Sequence, residues 1–189
     1  LIKLSPLIDI QHLVASLKNI YKIWIIAVKN EVKEVLVYLK KTENQPEISC
    51  INLQSSEPEF HFNLDDEKNC QSEFSTPKKY IYIPNNSVLK SGAFNLVSEK
   101  FGLKKLHQNT HIYTSGEKIE DFPGRIVETE EINSKAIKKG EQFNIITKNF
   151  PLKPEEIKKK YKIKDGGNQY LIAVKSLSGN HFLVGKLLD

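Results

Sequence analysis

A sequence of 189 residues has room for one large domain or two small ones. Hydrophobic residues make up 39% of it and charged residues 27%, which is typical of a globular protein. No apolar stretch approaches the ~20 residues that cross a bilayer, and no secretory leader is recognisable. Cys50 and Cys70 are too few for a disulfide framework and have no metal-ligand spacing. We therefore predict a soluble, cytoplasmic protein with free thiols and without a metal.

The net charge of +5 is unevenly distributed along the chain. The segment from Asn133 to Asp189 contains 12 lysines against five acidic residues, whereas acidic residues slightly outnumber basic ones before it. A basic end on a nearly neutral body favours a polyanionic partner such as nucleic acid. The alternative, a lysine-rich surface that is merely solvated, stays open on composition alone.

The first segment, residues 1–75, has the pattern of an α/β sheet. We predict a strand at Ile2–Leu4, a helix that ends near Asn19, a buried strand at Ile23–Val28 and a helix at Glu31–Lys40. Alternating strands and helices favour a parallel sheet, with Leu1–Leu4 and Ile23–Val28 as a parallel pair. Because the chain opens within a strand and lacks a methionine, we expect it to be the C-terminal part of a longer protein.

The end of this segment is predicted to be a hairpin followed by a linker. Ile48–Leu53 and Glu59–Leu64 alternate apolar and polar residues around a short polar turn, as two antiparallel strands do. Asp65–Pro77 is polar and acidic with few apolar residues. We interpret it as a linker and place the first domain boundary there.

The middle segment, residues 76–122, is predicted to form a small module of its own. A strand at Tyr80–Ile83 is followed by a helix from Ser87 to Lys100, with Gly102 as its C-terminal cap. His111–Thr114 has the composition of a short return strand. The turn at Asp121–Gly124 marks the second boundary.

The last segment, residues 123–189, is predicted to fold as a compact α+β unit in the order β-α-β-α-β-β. Helix signals and turn signals separate the strands, and acidic residues begin the second helix while lysines end it. The predicted elements are Arg125–Ile132, the helix Asn133–Lys139, Phe143–Thr147, the helix Glu155–Tyr161, Tyr170–Lys175 and Phe182–Leu188.

Two short runs in this segment are candidates for nucleic-acid contact. Lys148 and Phe150 come just after a strand, where a cation and an aromatic ring could meet a phosphate and a base. Lys158, Lys159 and Lys160 form the densest positive cluster, and lysines supply sequence-independent attraction to a phosphate backbone. A solvated helix face is the alternative for that cluster.

No constellation typical of catalysis occurs in the sequence. His107 and His111 are four residues apart, but no helix is predicted to hold them on one face and no further ligand stands near them, so a structural role is favoured. Asp165-Gly166-Gly167 is a turn, because no Lys-Ser/Thr pair follows it as in a phosphate-binding loop. No glycine-rich loop follows a strand, and no nucleophile–base pair is visible.

The runs YIYIPNNSVLKSGAF, FGLKKLHQNTHIYTS and IEDFPGR resemble the middle of a family of bacterial proteins common in the Bacteroidetes. These are class I SAM-dependent methyltransferases with a ferredoxin-like module and a THUMP-like C-terminal domain. The tail from Phe143 resembles the THUMP-like domain, and LIKLSPLIDI resembles the end of the Rossmann-like methyltransferase core. The resemblance leaves out only residues 43–76.

This resemblance implies the C-terminal portion of a SAM-dependent methyltransferase that acts on tRNA or rRNA. The SAM loop and the catalytic motif of the family are absent from this sequence, so no catalytic residue is assigned and SAM is expected only in a longer protein. Arg125 and Tyr161 join the lysines and Phe150 as candidate RNA contacts. Lys3, Ser5 and Pro6 are candidates for the active-site rim. The alternatives are a non-enzymatic interaction module and a methyltransferase with a protein or small-molecule substrate.

Overall fold

A computed structural model of the protein describes residues 1–41 and 43–188. Its regular elements are twelve strands, five short helices and one 3-10 turn within the described residues. In chain order they are β1 (Ile2–Leu4), α1 (Ile10–Ser16), β2 (Ile20–Val28), β3 (Glu31–Leu39), β4 (Glu47–Leu53), β5 (Phe60–Asn63), α2 (Leu64–Asn69), β6 (Tyr80–Pro84), α3 (Asn86–Ser91), α4 (Phe94–Lys100), β7 (Lys104–His107), β8 (Thr110–Ser115), β9 (Gly124–Ile132), a 3-10 turn (Ser134–Ala136), β10 (Gln142–Lys148), α5 (Pro154–Tyr161), β11 (Lys164–Ser176) and β12 (Gly179–Leu188).

The contacts divide the chain into two units, each with a mixed sheet. The first unit contains residues 1–72, 84–101 and 121–124, and the second contains residues 73–83, 102–120 and the chain from Arg125 onward. The middle segment thus contributes to both units, α3 and α4 to the first and its strands to the second. The predicted boundaries near residues 75 and 122 stay predictions.

The first unit has a five-stranded sheet in the order β1-β3-β2-β4-β5. The predicted parallel pairing of Leu1–Leu4 with Ile23–Val28 is wrong, because β3 lies between β1 and β2 and is antiparallel to both. The strand at Ile23–Val28 itself is confirmed as part of β2. Since β1 and β2 are each antiparallel to β3, they run in the same direction, and β2 is parallel to β4.

The predicted helix at Glu31–Lys40 is also wrong, since this stretch is the strand β3. Its β-branched residues favour an extended backbone. The two residues before it, Lys29 and Asn30, both adopt the left-handed conformation, with φ of 49° and 66°. Two successive left-handed residues form the tight turn that returns a strand directly onto its neighbour. A hairpin therefore replaces the predicted strand–helix unit.

The hairpin of β4 and β5 is confirmed, but the segment after it is not only a linker. Its first residues form α2, and Glu67 of α2 accepts hydrogen bonds from the first amides of α4, at 2.7 Å from the nitrogen of Leu96. The single helix predicted from Ser87 to Lys100 is two helices, because Gly92 adopts a left-handed φ of 81°. Asn85, rather than Ser87, is the N-terminal cap.

The second unit has one seven-stranded sheet in the order β10-β11-β12-β9-β6-β8-β7. The sheet curls until strands from its two ends meet: the Leu177 nitrogen donates to the Leu106 carbonyl at 3.0 Å, and Thr110 Oγ1 donates to the Lys175 carbonyl at 3.0 Å. One face of the curled sheet forms a core around Ile81, Leu106, Ile112, Val127, Ile172, Val174 and Leu183. The other face packs α5 through the buried Ile157.

The C-terminal order of elements is largely the predicted one. The strands at Arg125–Ile132 and Phe143–Thr147, the helix α5 and the final hairpin are confirmed. The predicted helix Asn133–Lys139 is only a 3-10 turn, capped by Asn133. The turn predicted at residues 165–167 lies within β11, where the register to β10 shifts. The strand β7 was not predicted.

Gly185 lies where two neighbouring strands of the curled sheet are very close together. A Cβ atom at this position would lie 2.2 Å from the Glu128 carbonyl oxygen and 2.7 Å from Cγ2 of Thr129, both on the neighbouring strand β9. Only glycine allows β9 and β12 to come this close. None of the helices in the described ranges is long and apolar enough to span a membrane.

Candidate nucleic-acid interface

Four connections of the second unit converge on one edge of its sheet. Because β10 and β11 are parallel, Lys148 and Ser176 end their strands on the same side. The turn into β12 follows there, and Ile132 at the end of β9 pairs with Phe182. The contacts of Leu106 and Thr110 with the β11–β12 turn bring the β7–β8 turn to this edge as well. We call residues 107–111, 133–134, 148–150 and 176–181 the loop rim.

Asn149 ties two of these connections together. It adopts a left-handed conformation, with φ of 51°, directly after β10. Its Nδ2 donates to Thr110 Oγ1 at 3.1 Å and lies 3.4 Å from Nδ1 of His107. The exposed Lys148 precedes it and Phe150 follows it. The predicted run Lys148–Phe150 is therefore held at the rim by the β7–β8 hairpin, a contact that sequence spacing did not reveal.

The two histidines lie on opposite strands of the β7–β8 hairpin. The Asn109 nitrogen donates to His107 Nδ1 at 3.0 Å, so this nitrogen is the acceptor and the neutral ring carries its proton on Nε2. Burial, together with the positive charges of Lys105 and Lys148, lowers the pKa of His111 to about 4. Among the described residues, no group of three or more histidine, cysteine or carboxylate side chains is placed to hold a metal.

The three lysines of α5 have different surroundings. Lys158 donates to Glu155 at 2.9 Å and to Asp165, and these hydrogen bonds, Asp165 first, raise its pKa. Its ammonium group is therefore already opposed by two carboxylates. Lys159 and Lys160 are exposed, and Lys160 Nζ lies 5.4 Å from the centre of the Tyr161 ring. Of the three, Lys159 and Lys160 are better placed for a phosphate.

Phe150 and Tyr161 meet on a third aromatic ring that the sequence did not single out. The ring of Phe182 lies 5.1 Å from that of Phe150 and 5.7 Å from that of Tyr161, both in edge-to-face geometry. All three are partly exposed and pack against the core under α5. The signal for Phe182 was its place in the alternating strand Phe182–Leu188. The cluster supports the sheet and presents ring surface on which a base could stack.

Arg125 lies far from the loop rim. It begins β9, beside the pairing of Ile126 with Leu188, whereas the rim lies at the other end, where Ile132 pairs with Phe182. Six residues of strand separate the two ends, which corresponds to about 20 Å. Arg125 is exposed, and its RNA contact stays a prediction for a separate part of the surface.

A further polar network lies at the rim. His181 Nδ1 is 2.7 Å from Oε1 of Glu131, and His181 Nε2 is 2.7 Å from Oγ of Ser176. This carboxylate–imidazole–hydroxyl order is that of a hydrolase triad. Ser176 is only 1% exposed, however, and its hydroxyl accepts from the Ser178 nitrogen at 3.1 Å. The network therefore holds the turn between β11 and β12 in place.

The residues predicted for an active-site rim lie in the first unit. Lys3 forms an ion pair with Glu34 at 2.6 Å. The hydroxyl of Ser5 accepts from the Leu7 nitrogen at 3.2 Å, in the turn that contains Pro6. A cavity of about 460 Å³ lies elsewhere in this unit, between α1 and α2. The role of Lys3, Ser5 and Pro6 stays a prediction.

Comparison with protein-family models finds a ferredoxin-like domain over residues 80–123 and a THUMP domain-like region over residues 125–185. The predicted resemblance is confirmed. The chain is also similar to the crystal structure of a candidate methyltransferase from Porphyromonas gingivalis W83, with 32% sequence identity and a TM-score of 0.85. That match covers 97% of this chain and 50% of the other protein, so the chain spans half the length of this relative. None of the curated proteins matches the chain.

Proposed function

We propose that this chain is the RNA-binding, C-terminal portion of a SAM-dependent methyltransferase that modifies tRNA or rRNA. The THUMP-like domain supports RNA as the partner, because domains of this type are associated with RNA binding. The similarity to a candidate methyltransferase supports methyl transfer by the longer protein. The observation that carries the proposal is the part of the loop rim on that domain, where the exposed Lys148, the amide of Asn149 and the ring of Phe150 follow one another.

For the first unit, the similarity to a candidate methyltransferase, which covers 97% of this chain, supports a methyltransferase core. β1 and β2 run in the same direction with α1 between them in sequence, and the antiparallel β3 lies between them in the sheet. β4 also runs in this direction, whereas β3 and β5 are reversed, so three of the four neighbouring pairs are antiparallel. Mixed sheets are common among large α/β sheets. In the described part of the chain the outer edge of β1 pairs with no other strand, so further strands of a larger sheet could join there.

The described residues do not fit a SAM site. No glycine-rich loop follows a strand. The cavity of the first unit is lined by a mixture of apolar and polar side chains, among them Val14, Leu64, Phe62, Gln11 and Lys68. The carboxylate that lines it, Glu67, is occupied by the first amides of α4. We therefore assign SAM binding and methyl transfer to residues outside this sequence. RNA capture, and the delivery of a target nucleotide, are the tasks of these 189 residues.

Binding of the 189-residue chain to bulk tRNA and rRNA fragments across a salt series tests the proposal. A variant with Lys148, Lys159 and Lys160 changed to glutamine removes three exposed charges of the second unit. If all three contact phosphates, the slope of log affinity against log salt should become shallower by about 2–3. The matched control changes three exposed lysines of the first unit, Lys18, Lys29 and Lys41, to glutamine.

Salt-sensitive binding that the first variant loses and the control keeps would support RNA capture. Equal losses in both variants would mean that the attraction is diffuse and that the rim is not the interface. No binding at low salt would overturn the RNA proposal and favour a protein-interaction module, whose apolar docking is insensitive to salt.

A further inference from the structure

We propose that the loop rim contains a phosphate-binding site shared by the ferredoxin-like hairpin and the THUMP-like sheet, formed by Lys148, His107 and His111. It rests on the proposed function and deepens it, because it identifies where a phosphodiester of the RNA is held. It also gives the ferredoxin-like module a part in binding. The β7–β8 hairpin comes from that module, whereas Lys148 ends β10 of the THUMP-like part.

Hydrogen bonds hold the β7–β8 hairpin against the end of β10. The Asn149 side chain reaches from the end of β10 to Thr110 and His107, at 3.1 and 3.4 Å. Thr110 in turn donates to the Lys175 carbonyl at the end of β11. The hairpin is thus fixed against the strand end that carries Lys148, and a ligand would meet a preformed surface. A preformed site loses little entropy on binding.

The donors of this surface suit an oxyanion. Because Nδ1 of His107 accepts the Asn109 amide, its Nε2 is left with the proton and can donate outward. Lys148 adds an exposed ammonium group. A phosphate oxygen that accepts from an ammonium and an imidazole forms charge-assisted hydrogen bonds, which are about twice as strong as neutral ones.

The positive charges near His111 also favour an anionic ligand. Lys105 and Lys148 both act on the half-buried His111 with positive charge and lower its pKa. Among the described residues, Lys148 forms no ion pair with an acidic side chain, in contrast to Lys158. Positive groups that lie this close to a histidine ring oppose its protonation. A bound phosphate would offset this positive charge.

The test combines matched variants with a direct probe of the histidines. Lys148→Gln removes one charge at the rim, and Lys139→Gln removes the same charge about 20 Å away, beyond the other end of β10. His107→Gln keeps an acceptor for the Asn109 amide but loses the imidazole. We expect Lys148→Gln and His107→Gln each to weaken tRNA binding about three- to tenfold, and Lys148→Gln to reduce the salt slope by about 1. Lys139→Gln should change the affinity less than twofold.

NMR of the histidine rings in the unchanged protein is the second measurement and does not depend on any variant's folding. Addition of inorganic pyrophosphate, and separately of a short oligoribonucleotide, should shift the ring signals of His107 and His111. The ring of His12, on α1 of the first unit, should stay unchanged. A shift with the oligoribonucleotide at much lower concentration than with pyrophosphate would identify a nucleic-acid phosphodiester as the ligand.

The outcomes separate this site from the proposed function. If tRNA binds but Lys148→Gln matches Lys139→Gln and the histidine signals stay still, the site is refuted while RNA binding stands. If no RNA binds but pyrophosphate shifts His107 and His111, the site stands for a small phosphorylated ligand and the RNA proposal falls. If no RNA binds and pyrophosphate leaves the signals of both histidines unchanged, the site and the RNA proposal are both refuted.

Discussion

The depressed pKa of His111 predicts that the second unit is destabilised by acid through one identifiable ring. At 1.36 kcal/mol per pKa unit, a fall of the pKa from 6.5 to about 4 corresponds to a loss of at most about 3.4 kcal/mol in the free energy of unfolding. Because the ring is only partly buried, solvent screening reduces this to about 1–2 kcal/mol. Between these pH values the unfolded chain binds a proton that the folded chain does not, so stability falls as pH decreases from 6.5 to 4.

Urea unfolding of the unchanged protein and of His111→Gln, at pH 7.0 and pH 4.5, measures this contribution. The methyl signals of Ile112 and Ile172 report on the core of the second unit. We expect the unchanged protein to lose about 1–2 kcal/mol more than the variant between the two pH values, since all other groups are common to both. His12→Gln, in the first unit, is the control. Equal losses in the protein and in His111→Gln would refute the assigned cause.

Three further predictions concern stability and reactivity. Gly185→Ala should cost at least about 2 kcal/mol in urea unfolding, because its Cβ would meet the Glu128 carbonyl at 2.2 Å, whereas Gly116→Ala, with open space around it, should change little. Glu67→Ala should lower the free energy of unfolding by about 1–2 kcal/mol, because the amides at the start of α4 lose their hydrogen-bond acceptor. An unchanged unfolding midpoint would contradict this role of Glu67. Burial raises the pKa of Cys50 to about 12, so its thiol should resist a thiol reagent at pH 8 until the protein unfolds, and rapid labelling of the native protein would disprove this.

The strands of the C-terminal segment could be predicted because turns and alternation agree there. Glycines stand at the start of β9, before β10 and at the start of β12, and α5 has acidic residues in its first turn and lysines in its last. The failure at β3 has a specific cause. Val32, Val35, Leu36 and Leu39 fit a helical stripe, but β-branched residues and the left-handed pair Lys29–Asn30 decide for a hairpin.

The candidate interface could be predicted only in its local parts. Lys148 and Phe150 were recognised because they follow a strand, and Lys159 and Lys160 because they are dense in charge. The contact of Thr110 with the carbonyl of Lys175 spans 65 residues of sequence, and no local pattern contains such a pairing. Of the two ion pairs of Lys158, the one with Glu155 lies within α5, whereas the one with Asp165 depends on how the start of β11 packs beside α5.

The seven-stranded sheet limits where this protein can be cut into fragments. The ferredoxin-like segment ends at residue 123 and the THUMP-like segment begins at residue 125, yet β6 of one and β9 of the other are neighbours in a single sheet. A cut between the two segments would bare the hydrogen-bonding edges of both strands and uncover their shared core. Exposed edges of this kind recruit other chains. Fragments separated between residues 123 and 125 should therefore aggregate, and we expect the two segments to fold only together.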